Sequence, residues 1–144
     1  MFVVDTNVLV YAADRYSTAH ERCRKQVLQW RAQSTPWFVT WGIVYEFLRV
    51  VTHVRVLRTP WMASQAWEFI HVLLESPSLG VLTEGGRHQE ILAELLRDIP
   101  ELKGNLLHDA HTAALMREHG IRSIYTRDMD FHRFPFLEVR DPLS

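Results

Sequence analysis

Four acidic side chains stand where they could together bind a divalent metal ion: Asp5, Glu46, Asp109 and Asp128. Several carboxylates cannot crowd together unless a cation joins them or some become protonated. Ligands that are all oxygen suit a hard cation such as Mg²⁺ or Mn²⁺. Such an ion activates water and stabilises the charge that grows on a phosphate during an in-line displacement. Asp130, two residues after Asp128, is a candidate fifth ligand.

Two of these acids follow predicted strands. Asp5 comes directly after the apolar run Phe2–Val4, and Asp128 comes directly after Ile124–Arg127. In open parallel sheets, ligands bind just beyond the carboxyl ends of the strands. An Asp after a strand is also common as a turn or cap residue, so either residue alone leaves the structural alternative open.

The other two acids lie on predicted helices. Glu46 and Asp109 each stand at the border of an apolar stripe, near the start of a helix. Acids at that end of a helix usually complement the helix dipole, which is the structural alternative for both. His108 and His111 are predicted on the outward face of their helix, exposed to solvent. The four acids together favour a metal site, although their spacing alone does not require one.

Short apolar runs alternate with segments of helical periodicity. The predicted strands are Phe2–Val4, Trp37–Val39, Gly80–Leu82, Ser123–Thr126 and an edge strand at Leu137–Val139. The predicted helices are Thr18–Gln33 with a capping box at Thr18, Gly42–His53, Thr59–Ser76 with Pro60 in first position, Arg87–Asp98, and Asn105–His119 closed by Gly120. This alternation predicts an α/β fold with a mostly parallel sheet covered by helices on both faces.

Composition narrows the class of protein. The chain has 144 residues, which fits a single domain spanning 1–144, and 47% of them are hydrophobic. With 16 basic and 17 acidic residues, the net charge of −1 argues against binding nucleic acid through overall charge. The single cysteine, Cys23, excludes an internal disulfide. No signal peptide or membrane-spanning run is recognisable, so we expect a cytoplasmic protein.

Four segments resemble a known family. They are V-D-T-N-V-L-V-Y-A, V-Y-E-F-L-R-V-V-T, L-H-D-A-H-T-A-A-L and Y-T-R-D-M-D-F, in this order. They are similar to the acidic blocks of PIN-domain ribonucleases, and within these to the VapC toxins of bacterial toxin–antitoxin pairs. The resemblance covers nearly the whole chain. It implies a three-layer, Rossmann-like α/β/α sandwich, a Mg²⁺ or Mn²⁺ site and RNA cleavage. It also implies a cognate VapB-type antitoxin that occupies the active site, and a homodimer.

The resemblance also implies roles for individual residues. Four residues match the acidic quartet of the family: Asp5, Glu46, Asp109 and Asp128. Asp5 and Asp109 would be the main ligands, with the other two completing the site. Asp130 matches a less regular acid. Three further residues would orient the carboxylate of Asp5 by hydrogen bonding: the polar pair Thr6 and Asn7, and the hydroxyl residue Thr126.

Other functions remain open at this stage. They are a housekeeping PIN-type nuclease, a non-catalytic RNA- or protein-binding PIN module, and a phosphatase of the haloacid dehalogenase type. The phosphatase would need a second Asp two residues after the first, where this chain has Asn7. Arg127 and Arg133 flank the last acids and are candidates for contact with an RNA phosphate. Trp61 is a candidate for a dimer or antitoxin groove.

Overall fold

A five-stranded parallel sheet forms the centre of the computed structural model, which describes residues 1–144. The strands are β1 (Phe2–Val4), β2 (Trp37–Thr40), β3 (Leu79–Leu82), β4 (Ser123–Tyr125) and β5 (Glu138–Arg140). Their order across the sheet is β3-β2-β1-β4-β5, and each neighbouring pair is parallel. The predicted parallel sheet is therefore confirmed, including its edge strand.

Six α-helices and one 3-10 helix surround the sheet. They are α1 (Thr6–Ala13), α2 (His20–Ala32), α3 (Trp41–Val51), α4 (Ala63–Leu74), α5 (His88–Asp98), α6 (Leu106–Glu118) and the 3-10 helix Met129–Arg133. Successive side chains of a strand point to opposite faces of the sheet. Val3 and Val4 are both 0% exposed, so helices cover both faces, as a three-layer α/β/α sandwich requires. None of the helices combines the length and the apolarity needed to cross a membrane.

Helix α1 is absent from the sequence-based prediction. Five of its eight residues are buried, among them the consecutive Val8, Leu9 and Val10, and the other three are only partly exposed, so no side of the helix is freely exposed to solvent. A helix that is buried all round lacks the periodic pattern by which an amphipathic helix is recognised. Because α1 begins directly after β1, it fixes the direction in which the chain leaves Asp5.

The predicted starts of two helices are wrong. No capping bond forms at Thr18: α2 begins at His20, and its N-cap is Ala19, whose N–H is taken by Ser17 Oγ at 3.1 Å. A capping-box spacing in sequence does not form a cap when a neighbouring hydroxyl makes the local turn instead.

Helix α4 begins at Ala63, three residues after the predicted first position at Pro60. The preceding Trp61 is held in place by its N–H, which donates to the Val51 carbonyl at 2.9 Å. Its ring packs edge-on against Phe69, with ring centres 5.7 Å apart. Tertiary contacts therefore decide where this helix starts.

The predicted end of α6 agrees with the structure. Gly120 follows this helix with φ of +70°, the left-handed conformation that glycine adopts without steric strain. The next N–H, of Ile121, donates to the Met116 carbonyl at 2.9 Å, which satisfies a carbonyl in the last turn. This closure fixes the helix that carries Asp109.

Candidate active site

The site lies where the strand order reverses, beyond the carboxyl ends of β1 and β4. These two strands are adjacent in the sheet, where Val4 pairs with Tyr125. In the chain, 118 residues lie between the end of β1 at Val4 and the start of β4 at Ser123. The N–H of Asp5 continues this pairing by donating to the Tyr125 carbonyl at 3.0 Å. In doubly wound sheets such a reversal opens a crevice, and ligands bind in it.

The carboxylate of Asp5 is held by three donors. Its Oδ1 accepts the Thr6 N–H at 2.8 Å, so Asp5 is also the N-cap of α1. Its Oδ2 accepts from Thr126 Oγ1 at 2.7 Å and from Asn7 Nδ2 at 3.0 Å. All three residues expected to orient Asp5 therefore contact it, although Thr6 does so through its backbone. The Thr6 hydroxyl donates to the Ile43 carbonyl at 3.3 Å instead.

Three further acids form a compact cluster. One carboxylate oxygen from each of Asp109, Asp128 and Asp130 lies within 4.8 Å of the other two. Asp109 lies in the first turn of α6, and Asp128 is the N-cap of the 3-10 helix, where its Oδ1 accepts the Asp130 N–H at 2.9 Å. Asp130, the candidate fifth ligand from the sequence, belongs to this cluster together with Asp128.

Glu46 lines the same pocket but is paired with a cation. Arg49, one turn later on α3, donates to its two oxygens at 2.6 and 3.0 Å. This hydrogen bonding holds the pKa of Glu46 below its ordinary value. The acid is therefore ionised and half-buried at the pocket wall.

One pocket of about 1000 Å³ contains all five acids. Its wall also includes Arg49, Asn105, His108 and His111, none of which was predicted to take part in a site. The two histidines were predicted on the outward, solvent-exposed face of α6. His108 is exposed and the His111 side chain is 44% exposed, and both also line this open pocket. The spacing of Glu46 and Arg49, three residues apart on a helix, was the signal that could have identified Arg49.

The electrostatics of the pocket fit a divalent cation. Burial, reinforced by the charges of Asp128 and Asp5, raises the pKa of Asp109 to about 7. Burial also raises the pKa of Asp5, despite the hydrogen bonds that it accepts. Without a cation the pocket thus has more negative charge than it can hold, and its donors are the oxygens that Mg²⁺ and Mn²⁺ prefer. The residues present therefore fit such an ion.

The sequence pattern that defines the PIN domain matches residues 2–137. The chain belongs to the PIN-domain family. It is 34% identical over 140 residues to Ribonuclease VapC48 of Mycobacterium tuberculosis, covering 97% of this chain and 96% of that protein. The resemblance stated from the four acidic blocks is confirmed, and the chain is a VapC-type PIN domain.

Solved structures have the same fold. The crystal structure of VapC20 from Mycobacterium tuberculosis, a toxin that cleaves the sarcin–ricin loop, matches with a TM-score of 0.68 at 22% identity over 97% of this chain and 99% of that chain. VapBC2 of Rickettsia felis, bound to a DNA fragment from its promoter, also matches with a TM-score of 0.68, at 15% identity over 97% of each chain. At these identities the matches support the PIN fold alone.

The two arginines predicted to contact a phosphate lie outside the wall of the PIN-domain pocket. Arg127 Nε lies 3.4 Å from Asp141 Oδ1, and Arg133 Nε lies 3.5 Å from Asp130 Oδ1. Each is therefore already paired with a carboxylate. Arg49 is also paired with a carboxylate, that of Glu46, and differs from the other two arginines in lining the pocket.

A second hollow of this PIN domain is an apolar groove of about 480 Å³ between α2 and α4. Trp61 lines it, as do Leu28 and Val72, whose side chains are 44% and 42% exposed. Charged residues at its rim are Arg24, Arg31 and Glu68. The groove is separate from the acidic pocket, since the two share no residue.

Proposed function

We propose that this protein is a Mg²⁺- or Mn²⁺-dependent endoribonuclease and the toxin of a type II toxin–antitoxin pair. The observation that carries the proposal is the meeting of five carboxylates, from segments far apart in the chain, in one pocket. Relatives more than 30% identical over nearly the whole chain are named as VapC ribonucleases. Housekeeping RNA processing remains the second candidate function, since it would use the same pocket.

Each acid has a role in this proposal. Asp5, Asp109 and Asp128 would hold the metal ion directly, with Asp130 as a further ligand and Glu46 tuning the charge of the site. When bound, Mg²⁺ or Mn²⁺ would lower the pKa of water and offset the negative charge that develops on the phosphate. The residues around Asp5 keep its carboxylate in one orientation, so that the pocket need not reorganise when RNA enters.

RNA would enter through the open side of the pocket. Arg49 and His108 line the wall there and are both exposed. A guanidinium suits phosphate oxygens, and Arg49 is the strongest candidate in the chain for a backbone contact. With a net charge of −1, the protein would depend on such local contacts to bind RNA.

The first test compares RNA cleavage by wild type, Asp5→Asn and Asp109→Asn, with added Mg²⁺ or Mn²⁺ and with chelator. We expect each variant to lose more than the roughly 10–100-fold that removal of an outer partner of a metal ligand costs. Asp98→Asn is the matched control, because Asp98 is exposed at the end of α5, outside the pocket. Products should carry a 5′-phosphate and a 3′-hydroxyl.

Undiminished cleavage by both active-site variants, or full activity in chelator, would contradict the metal-dependent mechanism. Products that end in a 2′,3′-cyclic phosphate would also contradict it. The toxin role has its own test, in which induced expression of the wild type arrests growth and Asp5→Asn does not. Active enzyme without growth arrest would favour the housekeeping function.

We also propose that the apolar groove between α2 and α4 binds the antitoxin. The occupant would be an apolar segment of a VapB-type partner, since the solved structures that share this fold include VapBC2 of Rickettsia felis. Exposed Leu28 and Val72 give the groove the apolar surface that a helix-in-groove contact needs. The groove would therefore add a contact surface outside the catalytic pocket to the active site that the antitoxin is expected to occupy.

A further inference from the structure

A second cluster of metal-ligating side chains lies beside the acidic pocket. One ligand atom from each of Glu84, His88 and His111 lies within 4.8 Å of the other two. Within this cluster, His111 Nε2 lies 2.6 Å from Glu84 Oε1. The residues come from the loop after β3, the first turn of α5 and the middle of α6.

A fourth residue holds His88 from behind. Glu118 Oε2 lies 3.3 Å from His88 Nδ1, and its Oε1 accepts the Gly85 N–H at 2.8 Å. The Glu118 side chain is only 7% exposed, and that of His88 is 18% exposed. In metal sites a histidine ligand commonly donates its second N–H to a carboxylate, which fixes the ring and its tautomer. With Nδ1 of His88 on Glu118, its Nε2 is left for a metal ion.

Glycine at position 85 allows this arrangement. A Cβ there would lie 2.5 Å from Glu118 Oε1, so any side chain would displace the carboxylate. The backbone of the loop can therefore approach Glu118 closely, and the loop carries Glu84 with it. The two more exposed residues, Glu84 and His111, are thus supported by the nearly buried carboxylate of Glu118, the largely buried imidazole of His88 and the close-packed Gly85.

We propose that Glu84, His88 and His111 form a Zn²⁺ site that shares His111 with the wall of the acidic pocket but uses none of its five acids. Two imidazoles and one carboxylate are a ligand set that zinc takes readily, with water in the fourth position. The same set is poor for Mg²⁺, which prefers oxygen ligands and octahedral geometry. The acidic pocket would thus bind Mg²⁺ and the neighbouring His–Glu cluster would bind Zn²⁺, because their ligand atoms differ.

Binding would tie the loop after β3 to α6. His111 is two residues from Asp109 on this helix, so zinc would hold the segment that carries Asp109 against α5. The cluster would then strengthen the frame of the acidic pocket without contributing to its chemistry. The inference stands on the His–Glu geometry and does not depend on ribonuclease activity.

The experiment titrates metal-free protein with Zn²⁺ in excess Mg²⁺ and follows the unfolding temperature and the bound stoichiometry. We expect one equivalent of tightly bound zinc and a rise in the unfolding temperature, because a ligand that binds only the folded state stabilises it. Co²⁺ in place of Zn²⁺ should give the strong visible absorption of a four-coordinate site. Mg²⁺ should not displace either ion.

His88→Gln combined with His111→Gln should abolish zinc uptake, and Glu118→Gln should weaken it by about 10–100-fold. His119→Gln is the matched control, because His119 lies nearby and bonds only the Thr83 carbonyl, at 2.8 Å. Should the double variant fail to fold, Glu84→Gln at the exposed ligand must by itself change the Co²⁺ spectrum.

Zinc uptake by the double variant equal to that of wild type would overturn the proposal, as would an unchanged Co²⁺ spectrum in Glu84→Gln. Zinc that excess Mg²⁺ displaces, and that Asp128→Asn no longer binds, would belong to the acidic pocket and would overturn it too. Wild-type uptake by Asp128→Asn would support it. Because every readout is metal binding, failure of the ribonuclease proposal would leave these outcomes unaffected.

Discussion

Thr126 Oγ1 donates a 2.7 Å hydrogen bond to Asp5 Oδ2, joining residues 121 positions apart. The same hydroxyl accepts from Asn7 Nδ2 at 3.0 Å and from the Asp128 N–H at 2.9 Å. Thr126 is 1% exposed. A single buried hydroxyl therefore connects the acid that follows β1 with the acid that follows β4.

Replacing this hydroxyl should impair the site more than the fold. Valine has nearly the same shape as threonine, but Thr126→Val leaves the Asp128 N–H and one N–H of the Asn7 amide without an acceptor. The free energy of unfolding should therefore fall by about 1–3 kcal/mol. RNA cleavage or metal affinity should fall by roughly 10–100-fold, since Asp5 loses an orienting partner. Thr126→Ser restores the hydroxyl and should recover most of both, as measured by denaturant unfolding and cleavage rates. Equal loss in the Ser variant would contradict this role.

Asn7→Asp tests the residue that separates this chain from a phosphatase. The change removes the Nδ2 donor from Asp5 and Thr126 and adds a negative charge beside acids whose pKa values are already raised. We expect cleavage to fall by on the order of tenfold or more. Asn105→Asp adds the same charge at the exposed pocket wall without touching Asp5 and should change cleavage far less. Equal effects of the two changes would show that charge alone matters.

The stability of the metal-free protein should depend on pH through Asp109. Its folded-state pKa of about 7 lies above the ordinary value of 3.8, so between these values the folded state binds more protons than the unfolded state. The contribution of Asp109 to stability is therefore fully present below about pH 3.8 and is lost as pH rises through about 7. The effect should be about 1 kcal/mol, because a half-exposed group is partly screened by solvent.

Urea unfolding of Asp109→Asn between pH 4 and 8 checks this expectation. The variant should lose much of the pH dependence and exceed the wild type in stability at pH 8, with a smaller slope left by the raised pKa of Asp5. Added Mg²⁺ should stabilise the wild type at high pH. Asp98→Asn is the control and should follow the wild-type curve. Parallel curves for Asp109→Asn and wild type would contradict the raised pKa.

Arg49→Gln tests the contact with RNA. Its ion pair with Glu46 is exposed, so the change should alter the free energy of unfolding by less than about 1 kcal/mol. The affinity for single-stranded RNA should fall, and its salt dependence should weaken by roughly 0.7 in the log–log slope, the value for one phosphate contact. Arg97→Gln on α5 removes an equal charge outside the pocket and should leave the slope unchanged. A wild-type slope in Arg49→Gln would exclude the contact.

Leu28→Glu and Val72→Glu test the apolar groove. Each places a charge on exposed apolar surface between α2 and α4, so binding of the antitoxin should weaken by on the order of tenfold or more. Leu96→Glu is the matched control, because Leu96 is 42% exposed but lies on α5, outside the groove. Calorimetry with the purified partner gives the affinities, and cleavage without the partner should stay unchanged. Wild-type affinity in both groove variants would exclude this surface.

The sequence predicted the parallel strands and the closure of α6 well, because both depend on local patterns. The apolar run Phe2–Val4 favours a buried strand, and glycine at position 120 favours the left-handed backbone that ends a helix, whatever packs around them. Helix α1 was missed because its burial removes the amphipathic pattern by which a helix is recognised. The start of α4 was misplaced because the contacts of Trp61 decide where this helix begins. Local chemistry cannot show such effects.

For the site, the sequence by itself determined which acids to consider and that Asn7 is not a second Asp. Only the tertiary structure decided that Asp130 joins the cluster of Asp109 and Asp128, that Glu46 is paired with Arg49, and that the rings of His88 and His111 are in contact. The physical reason is that the sequence specifies the chemical group at each position but not which groups lie close together. Distance between acids, and the desolvation that raises the pKa of Asp109, arise only when separate segments pack together.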